Sequence, residues 1–216
     1  MKILPSLKTL SPLKESYLTH GMDIVVVRDL QGGMLSGNHE TKIGNGGKTA
    51  SDLEYYDNDM IAFTAKLAFQ IADGRKKKVV SLDKSNVLAS SLLWRQTVSE
   101  SAASQPQIQL THQYIDNASM DVIRVPGAYN VILTSNVFGD ILSDELTQLT
   151  GTPCFFGSAE IAADGRGLYT PNQLHHPREE LAGPGKAAGK CGLLHYPGPP
   201  CHAGASHPRI FPAVHG

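Results

Sequence analysis

The chain has 216 residues, of which 41% are hydrophobic, and a formal net charge of −1 at pH 7. This charge argues against a nucleic-acid-binding protein, which needs a clear basic excess, and no run approaches the ~18 apolar residues of a membrane-spanning helix. The three cysteines, Cys154, Cys191 and Cys201, form neither a disulfide framework nor a CxxC pair. We therefore expect a protein of the reducing cytoplasm that contacts neither membranes nor nucleic acid.

Apolar and β-branched runs predict four strands that alternate with helical patterns. The runs are Ile24–Val27, Val79–Leu82, Ile108–Tyr114 and Val131–Thr134. Short apolar runs of this kind are typical of strands covered on both faces. The order of elements predicts an α/β layer architecture with a largely parallel sheet, and one antiparallel strand is compatible with it.

A helix is predicted after the capping residues Asp57-Asn58-Asp59, and it should end at Gly74. Its spacing places four apolar residues on one face: Met60, Phe63, Leu67 and Ile71. The segment before it, Gly37–Ser51, is rich in Gly, Asn and Lys, and is either a flexible loop or a protruding two-stranded arm.

Polar residues follow each of the four predicted strands. They are Arg28, then Asp83 with Lys84 and Asn86, then Asp116 with Asn117, and finally Asp140 with Asp144. Open α/β sheets bind ligands at the carboxyl ends of their strands. Four such ends in succession indicate a ligand site.

Asp140 and Asp144 are the most informative of these residues. Four residues apart on a helix, they project from one face, and two carboxylates that close favour a cation between them. Hard oxygen ligands suit Mg²⁺ or Mn²⁺. The alternative is that Asp140 caps a helix beginning near it and Asp144 is a solvated acid of the first turn.

The motifs together resemble the isocitrate/isopropylmalate dehydrogenase family of metal-dependent β-decarboxylating dehydrogenases, and most closely its 3-isopropylmalate branch. The resemblance runs from near the first residue through Leu168–Pro171. It is carried by four segments in the family's order: Val27–Gly33, Ser81–Leu88 with Leu93–Arg95, Tyr114–Met120 and Asn136–Glu145.

The resemblance implies a role for each polar strand end. Asp140 and Asp144 would bind Mg²⁺ or Mn²⁺, joined by Asp116 from the partner subunit of a homodimer with shared active sites. Arg28 and Asp116 would contact the substrate, with Arg28 gripping a carboxylate. Lys84, also donated across the dimer and assisted by Asp116, would be the proton-transfer residue or its relay.

The resemblance further implies NAD as cofactor, with Asn86 approaching its nicotinamide end, and residues 37–51 as a dimerisation arm. The implied reaction is the oxidative decarboxylation of 3-isopropylmalate, a 2-hydroxy diacid, to 4-methyl-2-oxopentanoate in leucine biosynthesis. The alternatives are a non-catalytic dimerising remnant, or a related dehydrogenase of the isocitrate or tartrate type.

The implied fold is an incomplete member of this layered α/β class. Residues 1–150 would form the substrate, metal and dimerisation region, and residues 151–174 a remnant of the cofactor domain. Met1 falls inside the family pattern, so an N-terminal segment is expected to be missing. The family also has a catalytic Tyr shortly after the double glycine, where this chain has Leu35.

Residues 175–216 differ in composition from the rest of the chain. They hold six of the nine His and seven of the thirteen Pro, and no helical or strand period. We interpret them as an aberrant, disordered tail produced by a reading-frame shift near residues 170–174. A zinc site in this tail, built on Cys191, His195, Cys201, His202 and His207, matches no tetrahedral module in its spacing.

Overall fold

A computed structural model of the chain describes residues 1–3, 5–44, 46–151 and 157–171. The residues up to 151 and the hairpin at 157–171 belong to two separate units. The first unit holds these elements in order: β1 (Lys2–Ile3), β2 (Met22–Asp23), β3 (Val25–Arg28), β4 (His39–Gly44), β5 (Gly47–Asp52), α1 (Asn58–Asp73), β6 (Lys78–Asp83), α2 (Ala89–Ala102), β7 (Gln109–Tyr114), α3 (Ile115–Arg124), β8 (Val131–Thr134) and α4 (Asn136–Leu149).

The four predicted strands form one parallel sheet in the order β3-β8-β6-β7. Val131 of β8 pairs with Val25 of β3 on one side and with Val79 of β6 on the other. The predicted α/β architecture is confirmed. Every residue of β8 is buried, as expected for a central strand covered on both faces.

Helices cover both faces of this sheet. Successive side chains of β8 alternate between two apolar clusters, Val131 and Leu133 in one and Ile132 in the other, because a strand directs neighbouring residues to opposite faces. The first cluster contains residues of α1 and α2, such as Phe69 and Trp94. The second contains residues of α3, α4 and the N-terminal segment.

The predicted ends of α1 are confirmed, and its most buried residues are not the four apolar residues that the sequence places on one face. The Asp57 side chain accepts a hydrogen bond from the Met60 N–H at 2.9 Å, and Gly74 is the C-cap. The fully buried residues are Ile61, Thr64, Ala65, Ala68, Phe69 and Ala72, whereas the four predicted residues are only half-buried. The buried face of α1 therefore combines two large apolar residues, Ile61 and Phe69, with three alanines and Thr64.

The helix that follows β8 begins earlier than predicted. α4 starts at Asn136, so Asp140 lies in its second turn and is not an N-cap. The helix-cap interpretation of Asp140 is therefore wrong. Asn136 and Gly139, which precede the predicted start near Asp140, are both helical and buried.

Residues 39–52 form the arm that composition left undecided. β4 and β5 pair antiparallel from His39–Asp52 to Gly44–Gly47, and all twelve of their residues are exposed. Six residues per strand correspond to a hairpin about 20 Å long. An exposed hairpin of this length gives the chain an unpartnered projection, and its role in dimerisation stays a prediction.

The second unit is described as one hairpin, β9 (Gly157–Ile161) paired antiparallel with β10 (Gly167–Pro171). In the described residues, no helix is both long and apolar enough to cross a membrane. The predicted tail at 175–216, the frame shift, the zinc alternative and Cys154 lie outside the described residues.

Candidate functional site

The parallel order of the sheet brings all four predicted strand ends to one edge. Arg28 is the last residue of β3, Lys84 follows β6, Asp116 lies in the first turn of the helix after β7, and Asp140 lies on the helix after β8. The carboxyl ends of parallel strands face the same way, so the side chains that follow them share one surface. Within this surface the structure forms two charged pairs.

The first pair joins Arg28 to α4. The Arg28 guanidinium donates from Nη1 to Asp140 Oδ1 at 2.5 Å and from Nε to Asn136 Oδ1 at 3.0 Å. A Cβ built on Gly139 would lie 2.7 Å from Arg28 Cγ and 2.9 Å from its Cβ. Because Gly139 has no side chain, the Arg28 side chain can pack against α4 at this position and reach the carboxylate of Asp140.

Asn136 is a site residue that the sequence did not reveal. Only 2% of it is exposed, and its Nδ2 donates to the Gly32 carbonyl at 2.9 Å and to Ser36 Oγ at 3.1 Å. With its bond from Arg28, one buried side chain links the ends of two strands to the double-glycine loop. An Asn two residues after a buried strand was the available signal, but sequence spacing shows none of its partners.

The loop that contains Leu35 is held by residues on both sides of it. Buried Asp29 accepts the N–H groups of Gln31 and Gly32 at 2.9 and 2.8 Å. Glu54 accepts the Met34 N–H at 2.8 Å. Leu35 is 47% exposed on this fixed loop, and its side chain has no proton to donate.

Tyr56 does not replace the tyrosine expected at position 35. Its Oη accepts the Asn136 N–H at 2.8 Å, and a Cβ on Gly33 would lie 2.7 Å from the same oxygen. Burial raises the pKa of Tyr56 far above its ordinary value of 10.0. The phenol is therefore a neutral group sealed beneath the loop.

The second pair joins Lys84 to Asp116 at 2.8 Å between Nζ and Oδ1. The hydrogen bond from Lys84 holds the pKa of the Asp116 carboxyl below its ordinary value of 3.8. About a quarter of the Lys84 side chain is exposed, against more than half of Asp116. The pair therefore presents its carboxylate outward and keeps the lysine partly covered.

An ion pair that sequence reasoning missed holds Asp83, the residue before Lys84. Asp83, 1% exposed, accepts hydrogen bonds from Arg95 Nε at 2.8 Å and Nη2 at 3.0 Å. It also accepts the Ser85 N–H at 2.9 Å. A bidentate Arg–carboxylate pair of this kind is rigid, so the turn that carries Lys84 is fixed.

The two pairs lie towards opposite sides of the sheet. Arg28 ends β3 and Asp116 follows β7, and these are the two outer strands. Three strand spacings correspond to about 14 Å between them. Within the described residues, no three His, Cys, Asp or Glu side chains lie close enough together to hold a metal ion.

The predicted ligand trio is therefore not assembled by the described part of one chain. That geometry is compatible with the prediction that Asp116 serves the site of a partner subunit, and it does not test it. Asp140 and Asp144 are both exposed on successive turns of α4, so their oxygens face one region of solvent. Two accessible carboxylates from one face fit the hard-oxygen preference of Mg²⁺ or Mn²⁺.

Asn86 lies in the turn between β6 and α2, and its side chain is exposed at the same edge. No contact within the described residues ties it to either charged pair. Its predicted place beside a nicotinamide stays a prediction.

Known proteins resemble this chain in sequence and in fold. The sequence model of the isocitrate/isopropylmalate dehydrogenase family matches residues 1–187, which extends past the tail boundary expected near residue 174. The 3-isopropylmalate dehydrogenase of Clostridium pasteurianum is 44% identical over 182 residues, covering 84% of this chain and 50% of that protein. The enzyme of that name from Helicobacter hepaticus is 44% identical over 185 residues, covering 86% and 51%.

Among solved structures, the isocitrate dehydrogenase of Methylococcus capsulatus superposes with a TM-score of 0.66 at 27% identity, over 70% of this chain and 45% of that one. The chain spans about half the length of the two named relatives. A family match over most of the chain, four motifs in order and a shared parallel sheet all agree, so this chain belongs to the isocitrate/isopropylmalate dehydrogenase family.

Proposed function

We propose that this chain carries the metal- and substrate-binding part of a 3-isopropylmalate dehydrogenase. The reaction is the oxidative decarboxylation of a 2-hydroxy diacid, 3-isopropylmalate, to 4-methyl-2-oxopentanoate in leucine biosynthesis. The observation that carries the proposal is the presence of two charged pairs at one sheet edge, Arg28–Asp140 and Lys84–Asp116. Relatives that bear this enzyme's name at 44% identity support the choice of substrate.

Each pair supplies one function to the proposed reaction. The Arg28 guanidinium, oriented by Asn136, offers planar hydrogen bonds to a substrate carboxylate. Without ligands it is neutralised by Asp140, and a bound diacid would take over its charge. Lys84 holds three protons beside the Asp116 carboxylate, so it can deliver one to a carbon that becomes basic on decarboxylation.

The cofactors follow from the same chemistry. Asp140, Asp144 and the partner subunit's Asp116 would hold a Mg²⁺ or Mn²⁺ ion, which would supply Lewis-acid stabilisation of negative charge on the substrate oxygens. Asn86 would lie beside the nicotinamide end of NAD⁺, which would supply the hydride acceptor for the oxidation at C2. Both assignments extend the family resemblance and the donor chemistry of the exposed carboxylates.

A homodimer in the cytoplasm is part of the proposal. Within the described residues Asp116, Asp140 and Asp144 do not form one metal-binding group, so we infer that a complete set of the predicted ligands includes Asp116 of the partner subunit. The exposed hairpin of β4 and β5 has the form of an arm that a partner would cover.

A non-catalytic dimerising remnant is the second candidate, and Leu35 favours it. A leucine, 47% exposed on a fixed loop, stands where the family resemblance calls for a proton-donating tyrosine. This substitution bears on turnover and leaves the residues proposed for dimerisation and ion binding unchanged.

The discriminating experiment measures NADH absorbance with 3-isopropylmalate, NAD⁺ and Mn²⁺, together with the oligomeric state on a sizing column. Turnover that disappears in Lys84→Met supports the dehydrogenase. A dimer that forms no NADH, and gains activity in Leu35→Tyr, supports the enzyme lineage with a disabled site. A monomer without turnover in either variant contradicts both candidates.

A further inference from the structure

Lys84 is held on two sides by side chains of its own chain. Its Nζ donates to Asp116 Oδ1 at 2.8 Å and lies over the ring of Tyr114, 5.9 Å from the ring centroid. A lysine side chain has four rotatable methylene links, so its ammonium is normally the most mobile part of the residue. Here a carboxylate and an aromatic face restrict it from different directions.

The ring itself is fixed by a second cation. The Arg95 guanidinium lies 5.0 Å from the Tyr114 centroid, and its position is set by the bidentate bonds to buried Asp83. Tyr114 is the last residue of β7, where it pairs with Asp83 of β6. Backbone register and guanidinium contact together leave the ring little freedom.

We propose that Tyr114 is a positioning residue for Lys84: its ring face, braced by Arg95, holds the ammonium in the direction from which the proposed proton transfer occurs. Only the expected effect of this positioning on turnover rests on the proposed function. The positioning itself is a property of this chain and is measurable without turnover.

The ring face, and not the phenol hydroxyl, supplies the attraction. A cation over an aromatic ring is attracted by the negative face of the π-system, which phenylalanine also has. Leucine occupies a similar place beside the stem of Lys84 but has no such face. The pair Tyr114→Phe and Tyr114→Leu therefore separates the ring's electrostatic role from simple packing. Because Tyr114 is only half-buried, both variants are expected to fold.

The test is the NMR spectrum of the full chain after reductive ¹³C-methylation of its lysines, a modification that keeps the positive charge. The Lys84 methyl signal is assigned by its loss in Lys84→Arg. We expect this signal upfield of the exposed lysines, because it lies over an aromatic face. It should stay there in Tyr114→Phe and move to the position of exposed lysines in Tyr114→Leu.

A Lys84 signal at the same position in the wild type and Tyr114→Leu would overturn the proposal.

In any preparation that oxidises 3-isopropylmalate, Tyr114→Leu should lower kcat by roughly tenfold to a hundredfold at an unchanged KM, and Tyr114→Phe should retain wild-type kcat. An upfield signal in a chain without turnover would sustain the positioning and count against the proposed function. Equal losses of kcat in both variants would refute the role of the ring face.

Discussion

Replacing Asn136 with alanine tests whether one buried amide holds the site together. The change removes two donated bonds, to the Gly32 carbonyl at 2.9 Å and to Ser36 Oγ at 3.1 Å. It also removes the acceptor of the Arg28 Nε–H at 3.0 Å. Because Asn136 is only 2% exposed, solvent does not readily replace these bonds.

The expected loss in free energy of unfolding follows from the kinds of bond removed. A neutral hydrogen bond contributes about 1 kcal/mol, and one to a charged group about 1.5–3 kcal/mol, so the three bonds of Asn136 together amount to roughly 3.5–5 kcal/mol. This is a large share of the 5–15 kcal/mol typical of a folded domain, as an order of magnitude.

The matched control is Asn130→Ala. Asn130 is also buried, at 3% exposed, but it precedes β8 rather than following it. Its Oδ1 accepts one hydrogen bond at 3.2 Å, from the N–H of Lys76, an exposed residue. We expect a loss of about 1 kcal/mol, since a single long bond is removed and its donor belongs to an exposed residue.

Guanidinium denaturation followed by tryptophan fluorescence measures both losses. Trp94 is the only tryptophan of the chain, is 1% exposed, and packs edge-to-face on Tyr56 at 5.5 Å, so its emission changes when the core opens. If Asn136→Ala and Asn130→Ala lose equal free energy, the amide network around Arg28 does not stabilise the site and the reasoning is refuted.

Three further outcomes follow from the same structure. Gly139→Ala should displace the Arg28 side chain, which is measured as a shift of the Arg28 Nε–H NMR signal, and an unmoved signal contradicts this. The free energy of unfolding should change by less than about 2 kcal/mol, because a helix-propensity gain of about 1 kcal/mol opposes overpacking of about 1–3 kcal/mol. Burial raises the pKa of Tyr129 to about 12 from 10.0, so its contribution to stability is complete below pH 10 and is lost as the pH rises towards 12. Alkaline denaturation of Tyr129→Phe should lack that part of the decline, and curves of identical shape would argue against it. Asp140→Asn should weaken Mn²⁺ binding, measured by electron paramagnetic resonance, by at least about tenfold. The control is Asp73→Asn, which should leave Mn²⁺ binding unchanged. Asp73 is an exposed acid that pairs at 3.4 Å with Lys77, one helical turn away.

The local elements could be predicted because their signals lie in short segments. The β-branched run at Val131–Thr134 became a fully buried strand, and Asp57 and Gly74 mark the two ends of α1 as predicted. A capping side chain and an apolar run act over a few residues, so the sequence displays them directly. The polar residues that follow the four strands were expected to share one edge of the sheet, and the parallel strand order places them there.

The buried face of α1 and the start of α4 could not be predicted in this way. The four apolar residues that the sequence places on one face of α1 are only half-buried, whereas Ile61, Phe69 and three alanines are buried. α4 begins directly at Asn136, whose amide bonds residues about a hundred positions earlier. Both outcomes depend on which residues pack against the helix, and the periodicity of the sequence does not identify those residues.

The sequence by itself determined the parallel α/β class, the family and the identity of the charged residues, because composition, spacing and motif order express these. Only the tertiary structure decided which charges meet. The strand order β3-β8-β6-β7 pairs Arg28 with Asp140 and Lys84 with Asp116, and places the two pairs towards opposite sides of the sheet. Strand order is fixed by pairings between distant residues, such as Val25 of β3 with Val131 of β8, and the periodicity of the sequence does not show which strands pair.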